Sequence, residues 1–233
     1  MTPLPPPLSA DPNEINLRIV ACRRCPRLVA HREQVARTKR RAYVDETYWG
    51  RPVPACGDPA ARVLLVGLAP GAHGSNRTGR MFTGDGSADF LTPALHRAGF
   101  ASQPSSVHAA DGLRLDDLYV VAVAHCAPPG NRPSPQEIAR CRPYLQAHLR
   151  ALPNLEVVIA LGQIAFQGVL RAIDLQGPRV PAPRPQFAHG VEVRLPGMTL
   201  LGSYHPSRQN TQTGRLTHVM FERVFTRARQ LLS

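Results

Sequence analysis

The sequence predicts an α/β fold, a three-layer sandwich with a central, mainly parallel four-stranded sheet flanked by helices. Four short apolar runs carry almost no polar interruption, as strands covered on both faces require. Segments of helical periodicity separate the runs, the order expected of βαβ crossovers. Polar loops leave three of the four runs, over residues 67–87, 127–135 and 204–214. In such sheets ligands bind beyond the carboxyl ends of the strands, so these loops are expected to converge on one site.

The elements follow in order. Residues 1–10, rich in proline, are expected to form a disordered tail, and 11–233 one domain. A helix starts after Asp11 and runs through "EINLRIVACRRCPRLVAHREQVARTKR", broken near Pro26; "RAYVDETYWGRPVPACGDPA" reads as loop. "RVLLVGLAP" (62–70) is the first strand, and "SADFLTPALHRAGF" a helix capped by Ser87 or Asp89. "DLYVVAVAHC" (117–126) is the second strand. It ends in the rigid loop "APPGNRPSP", where Ser134 and Pro135 open the helix "PQEIARCRPYLQAHLRAL". "LEVVIALG" (155–162) is the third strand, "QIAFQGVLRAI" a helix, and 177–185 a Pro-rich loop. "MTLLGSYHPS" (198–207) gives the fourth strand, and 216–232 a closing amphipathic helix.

Charge narrows the partner. Lys+Arg 28 against Asp+Glu 16 gives +12, and the cations are overwhelmingly Arg, which binds phosphate in a planar, bidentate way. That favours a polyanion, nucleic acid before membrane, although Arg-rich composition also follows from GC-rich codon usage. No apolar run is long enough to span a membrane, and the first residues lack the pattern of a signal peptide.

Four cysteines invite three readings. Cys22 and Cys25 form a CxxC, while Cys126 ends the second strand and Cys141 lies on the helix after it. A thioredoxin-type pair would have no use for the later two. A zinc ribbon pairs two close knuckles, and the second pair is too widely spaced. An iron–sulfur cluster accepts scattered thiolates; four buried thiols without metal is the plainer alternative. Cys56 stands outside the set.

The loop "GLAPGAHGSNRTGRMFTGDGS" is neither a P-loop, lacking Gly-Lys-Ser/Thr, nor a dinucleotide fingerprint. Phe82 and Asp85 could stack a flat ring and place a charge beside it; equally, they could be a core aromatic and a helix cap. His205 directly follows a buried strand. It heads a loop carrying Ser207, Arg208, Gln209, Asn210, Thr211 and Arg215, all able to bond phosphate or base edges.

Together, "GLAPGAHGSNRTGRMFTGD", "CAPPGNRPSP", "SYHPSRQNTQTGRLT" and the four cysteines closely resemble the iron–sulfur uracil-DNA glycosylases. Within that superfamily they resemble family 5, the type B enzymes, since family 4 carries a "GEAPG" form of the first motif. The resemblance runs from about Cys22 to the final helix. It implies that Cys22, Cys25, Cys126 and Cys141 hold a structural 4Fe–4S cluster. By the same resemblance Phe82 stacks on the flipped base, in a pocket that includes Gly67, Ala69 and Ala122. Asp85, Asn131 and His205 serve catalysis, and the loop with Ser207, Arg208, Gln209, Asn210 and Arg215 enters or contacts the DNA.

The implied protein is a monomeric repair enzyme of the cytoplasm and nucleoid, acting on double-stranded DNA that holds uracil or other deaminated bases. It hydrolyses the N-glycosidic bond and leaves an abasic site, with no lyase step, because no lysine sits in the motifs. Two departures matter. Ala69 and Ala72 cannot activate water as a polar residue there does in other families. Ala122 stands where family 4 places an Asn that reads uracil, which predicts a wider base range that includes hypoxanthine. The rivals are a non-catalytic iron–sulfur nucleic-acid-binding protein and a metal-independent hydrolase of free nucleotides.

Overall fold

The computed structural model describes residues 10–174 and 180–232. The expected tail thus lies outside the described residues except for Ala10, as does 177–179 of the Pro-rich loop. Helix α1 (Pro12–Val20) is capped by Asp11, whose side chain accepts from the Asn13 N–H. Helix α2 (Pro26–Thr38) starts at the expected break, with Cys25 at its N-cap and Pro26 in the first turn, where no N–H is missed.

The sheet contains strands β1 (Cys56–Gly57), β2 (Val63–Gly67), β3 (Leu118–Ala122), β4 (Val157–Leu161), β5 (Glu192–Leu195) and β6 (Met198–Ser203), in the order β1-β3-β2-β4-β6-β5. The inner four are parallel and are the four read from the sequence. Two antiparallel edge strands extend the expected four to six. β1 is too short for periodicity to reveal. β5 alternates inward Val193 and Leu195 with outward Glu192 and Arg194, and turns into β6 through Gly197 at φ 79°.

Helices α3 (Ser75–Thr78), α4 (Gly86–Arg97), α5 (Pro135–Ala151), α6 (Gln163–Asp174), α7 (Arg208–Gln212) and α8 (His218–Gln230) complete the described elements. One sheet face, with Leu64, Val66, Val121 and Val158, packs on Leu145 and Leu149 of α5 and Phe166, Val169 and Leu170 of α6. The other, with Val63, Leu65, Val120, Ala122 and Ile159, packs on Leu91 and Leu95 of α4 and Phe221 and Phe225 of α8. Each of those fully buried Phe side chains contributes about 1.5–3 kcal/mol. Helix α1 adds Ile15 and Ile19 to the far side of α5.

One cap differs from expectation. Helix α4 begins at Asp85, which accepts from Ser87 and Ala88, and neither Ser87 nor Asp89 caps it. Helix α5 carries the capping box that Ser134 announces, with Glu137 returning the bond.

Candidate active site

At the carboxyl end of β2 the chain reaches Gly67, whose register partner on β3 is Ala122. The Phe82 ring lies against Gly67 so closely that a Cβ there would sit 2.7 Å from Phe82 Cζ. Phe82 holds φ at 46°, a strained value for an aromatic residue. Two arginines brace the loop that imposes it. Arg77, buried, donates to the carbonyls of His73 (2.8 Å) and Gly84 (2.9 Å) and pairs with Glu46. Arg80 donates to Thr83 Oγ1 (2.9 Å), Ser106 Oγ (2.9 Å) and Asp111 Oδ2 (2.7 Å), and holds the Asp111 carboxyl well below its usual range. Sequence reading missed both residues; two arginines flanking a glycine in a loop of small residues were the available signal.

Asp85 divides its carboxylate. Oδ1 accepts from the N–H groups of Ser87 (3.0 Å) and Ala88 (3.1 Å), as a cap does. Oδ2 lies against the α-carbons of Gly71 and Gly74, where added Cβ atoms would be 2.7 and 2.0 Å away. Burial pushes the Asp85 pKa up, opposed by those N–H bonds and by nearby Arg208. The two readings of Asp85, cap and placed charge, are therefore compatible in one side chain.

His205 follows β6, its ring centroid 6.2 Å from that of Phe82 and tilted 36°. Among the described residues its ring has no hydrogen-bond partner, and burial lowers its pKa to about 4. Its loop folds into α7. The Asn210 side chain donates to the His205 carbonyl at 2.8 Å, so that part of its amide holds the loop. Ser207 takes the N-cap position of α7, and Arg208 lies over Gly86, next to Asp85. Arg208 and Gln209 are exposed, and the Arg215 guanidinium stacks 4.7 Å from the Tyr204 ring.

The first and last loops thus meet around Phe82, Asp85 and His205. Ala122 is buried on the same sheet face as the Phe82 platform, and Ala69 is half-buried on the exit from β2. Asn131 sits exposed in a single 3-10 turn at φ 56°, and no described contact joins it to these residues. Its loop is tied instead to α2, through Arg27 donating to the Arg132 carbonyl (3.1 Å).

The four cysteines line one cavity with Arg24, Glu137, Arg140 and Tyr144. All four are free thiols, and burial pushes Cys126 up to about 12. Among the described residues no group of His, Cys, Asp and Glu is close enough to hold a single metal ion. The donor set, four thiols spread around a cavity, suits a polynuclear iron–sulfur cluster better than zinc. A second observation agrees: Arg24, on the cavity wall, has its Nε buried without an acceptor among the described residues.

Comparison with known proteins agrees with the motifs. The family model of the Uracil DNA glycosylase superfamily matches residues 54–229. The chain is 52% identical over 220 residues to a type-5 uracil-DNA glycosylase of Mycobacterium leprae, covering 94% of each chain. It is 52% identical over 214 residues to that of Thermus thermophilus, covering 91% of this chain and 94% of the relative. The counterpart in Mycobacterium tuberculosis is 51% identical over 220 residues, 94% of this chain and 81% of the relative. With a match of that extent and these motifs at one end of a parallel sheet, the chain belongs to the uracil-DNA glycosylase superfamily and, within it, to the type-5 family.

Proposed function

We propose that this site excises uracil from DNA by hydrolysing the N-glycosidic bond of a base rotated out of the duplex, leaving an abasic site. The observation that carries the reading is the aromatic wall: Phe82 with its Cζ–Cε2 edge against Gly67, beside Ala122, and the His205 ring 6.2 Å away. A duplex base is unreachable until it leaves the stack, so a pocket must stack it and hold it. Bond cleavage builds negative charge on the departing base and positive charge on the sugar.

His205, neutral at pH 7 because burial holds its pKa near 4, donates an N–H to a base oxygen and stabilises the first charge. Asp85, anchored by Oδ1, presents Oδ2 to stabilise the second or to orient water. Asn131 supports the reaction from the second loop once DNA is bound. Arg208, Gln209 and Arg215 face solvent and contact the phosphate backbone.

The enzyme is monofunctional. A lyase needs an amine to form a Schiff base, and the chain's single lysine, Lys39, donates to the Val44 carbonyl at 2.8 Å at the end of α2. Ala122 offers the base no hydrogen bond, so the pocket accepts other deaminated bases such as hypoxanthine. Cys22, Cys25, Cys126 and Cys141 hold a 4Fe–4S cluster. When bound, the cluster fastens α2 and the start of α5 to the end of β3, a structural service with no part in bond cleavage.

The test is a duplex-cleavage assay with one uracil, one hypoxanthine or no lesion, followed by alkali. Cleavage at both lesions, lost in Asp85→Asn, is the expected result. Cleavage at uracil alone would overturn the inference from Ala122, and none at all would overturn the enzyme reading.

A further inference from the structure

We propose that Arg24, Arg32 and Arg140 form a cationic cage around the four thiols, which offsets the negative charge of the bound cluster and raises its reduction potential. The inference rests on the reading that Cys22, Cys25, Cys126 and Cys141 hold that cluster.

The placement is specific. Arg24 and Arg140 line the thiol cavity, and Arg140 Nη1 reaches the Arg24 carbonyl at 3.4 Å, linking the CxxC to α5. Arg24 stacks 4.9 Å from the ring of Tyr144, another wall of the cavity. Its guanidinium stands beside Cys22 and near Cys141, that of Arg140 beside Cys25, and that of Arg32 near Cys126. Arg24 and Arg140 thus stand on the wall of the thiol cavity, and Arg32 acts on Cys126 from outside that wall.

Two of these cations keep an unpaired Nε. Arg32 is 2% exposed, and its described partners are the Gly50 carbonyl at 3.3 Å and Glu33 at 3.7 Å. Nε of Arg32 and Nε of Arg24 are both buried and unpaired among the described residues. A buried N–H left without an acceptor is costly, so an acceptor is implied at these two nitrogens. The carboxylate on the cavity wall is not it, because Glu137 is held by Arg27 in a two-pronged pair at 2.9 and 2.8 Å. What remains is sulfur, from thiolate and cluster sulfide. One-electron reduction adds a negative charge to a thiolate-bound cluster, and nearby cations and N–H donors stabilise the reduced form.

The test is a potentiometric titration of the purified holoprotein, followed by visible absorbance and electron paramagnetic resonance, with iron and sulfide counted first. Arg140→Gln and Arg24→Gln are expected to lower the reduction constant about tenfold, which is about 59 mV for a one-electron couple. Arg140→Lys keeps the charge and restores most of the shift, whereas the exposed Arg194→Gln leaves the potential where it was. Arg32→Gln should act alike; if it fails to fold, Arg140, exposed on α5, carries the test. Unchanged potentials in Arg140→Gln and Arg24→Gln at full iron content would overturn the cage while leaving the cluster in place. Wild-type protein without iron or sulfide would overturn the cluster reading itself.

Discussion

Oδ2 of Asp85 rests against the α-carbon of Gly74 with no room for a methyl group: a Cβ there would lie 2.0 Å from the oxygen. Gly74→Ala must therefore push the carboxylate out of position while leaving Asp85 chemically intact. A misplacement of about 1 Å costs on the order of 100-fold in rate. The expected outcome is kcat reduced about 100-fold on uracil-containing duplex, with stability lowered by no more than the loss of the Asp85 cap, about 0.5–2 kcal/mol. A variant with wild-type kcat would show that Oδ2 does not act where the structure places it.

The Phe82 platform is open to the same kind of test from beneath. Gly67→Ala places a Cβ 2.7 Å from the ring and tilts it; Phe82→Ala removes it. Base–aromatic stacking is worth about 1–3 kcal/mol. Single-turnover kinetics on the two variants should show kcat/KM falling about 5- to 150-fold, with undamaged duplex bound as in the parent. A loss confined to undamaged-DNA affinity would contradict the platform role.

For His205 the sign follows from burial. Its pKa lies near 4, so no proton leaves the ring between pH 5 and 8 and none of the activity lost on the alkaline side belongs to it. The ring acts as a neutral donor. His205→Gln, which keeps an N–H donor, should therefore retain more activity than His205→Ala, expected to lose on the order of 100- to 1,000-fold. Equal losses in a direct comparison at pH 7.5 would argue against hydrogen bonding to the departing base.

Acid stability should report the same burial. His148 is held at about pKa 3 and His205 at about 4, both below the ordinary 6.5. The unfolded chain takes up protons below about pH 6.5 that the folded protein refuses until about pH 4 and 3. Their contribution is whole above pH 6.5 and is lost as pH falls toward 3. Urea midpoints measured from pH 7 to 4 should decline, and His148→Phe should make that decline shallower. An unchanged slope would mean His148 is not buried neutral.

Arg77 supplies the last test. Arg77→Ala leaves the carbonyls of His73 and Gly84 without its donors, about 1–3 kcal/mol for each one left buried. Denaturant titration should find that loss, and Arg77→Lys, which keeps charge but not the planar fork, should recover only part of it.

How much of this was legible in the sequence depends on range. The four parallel strands, the Asp11 and Ser134 caps and the break at Pro26 are set by neighbours within a few residues, and each stands where expected. β1 escaped because two residues carry no period. Local grounds offered Ser87, Asp89 and Asp85 alike as the cap of α4, and Asp85 takes it; Gly71 and Gly74, from another part of the loop, surround Asp85. The bracing role of Arg77 and Arg80 was hidden beyond their spacing in the loop: Glu46, Ser106 and Asp111 are their partners only in three dimensions.

The short outer strands have a consequence for how such a chain behaves at high concentration. A parallel sheet that stopped at β3 and β6 would offer neighbouring molecules two long rows of unpaired amides. Here one border is two residues long with prolines close by on either side, Pro54 and Pro59, and the other carries Glu192 and Arg194 pointing outward. Strand-to-strand aggregation finds little template at either border, so a nearly saturated population of folded molecules should remain dispersed.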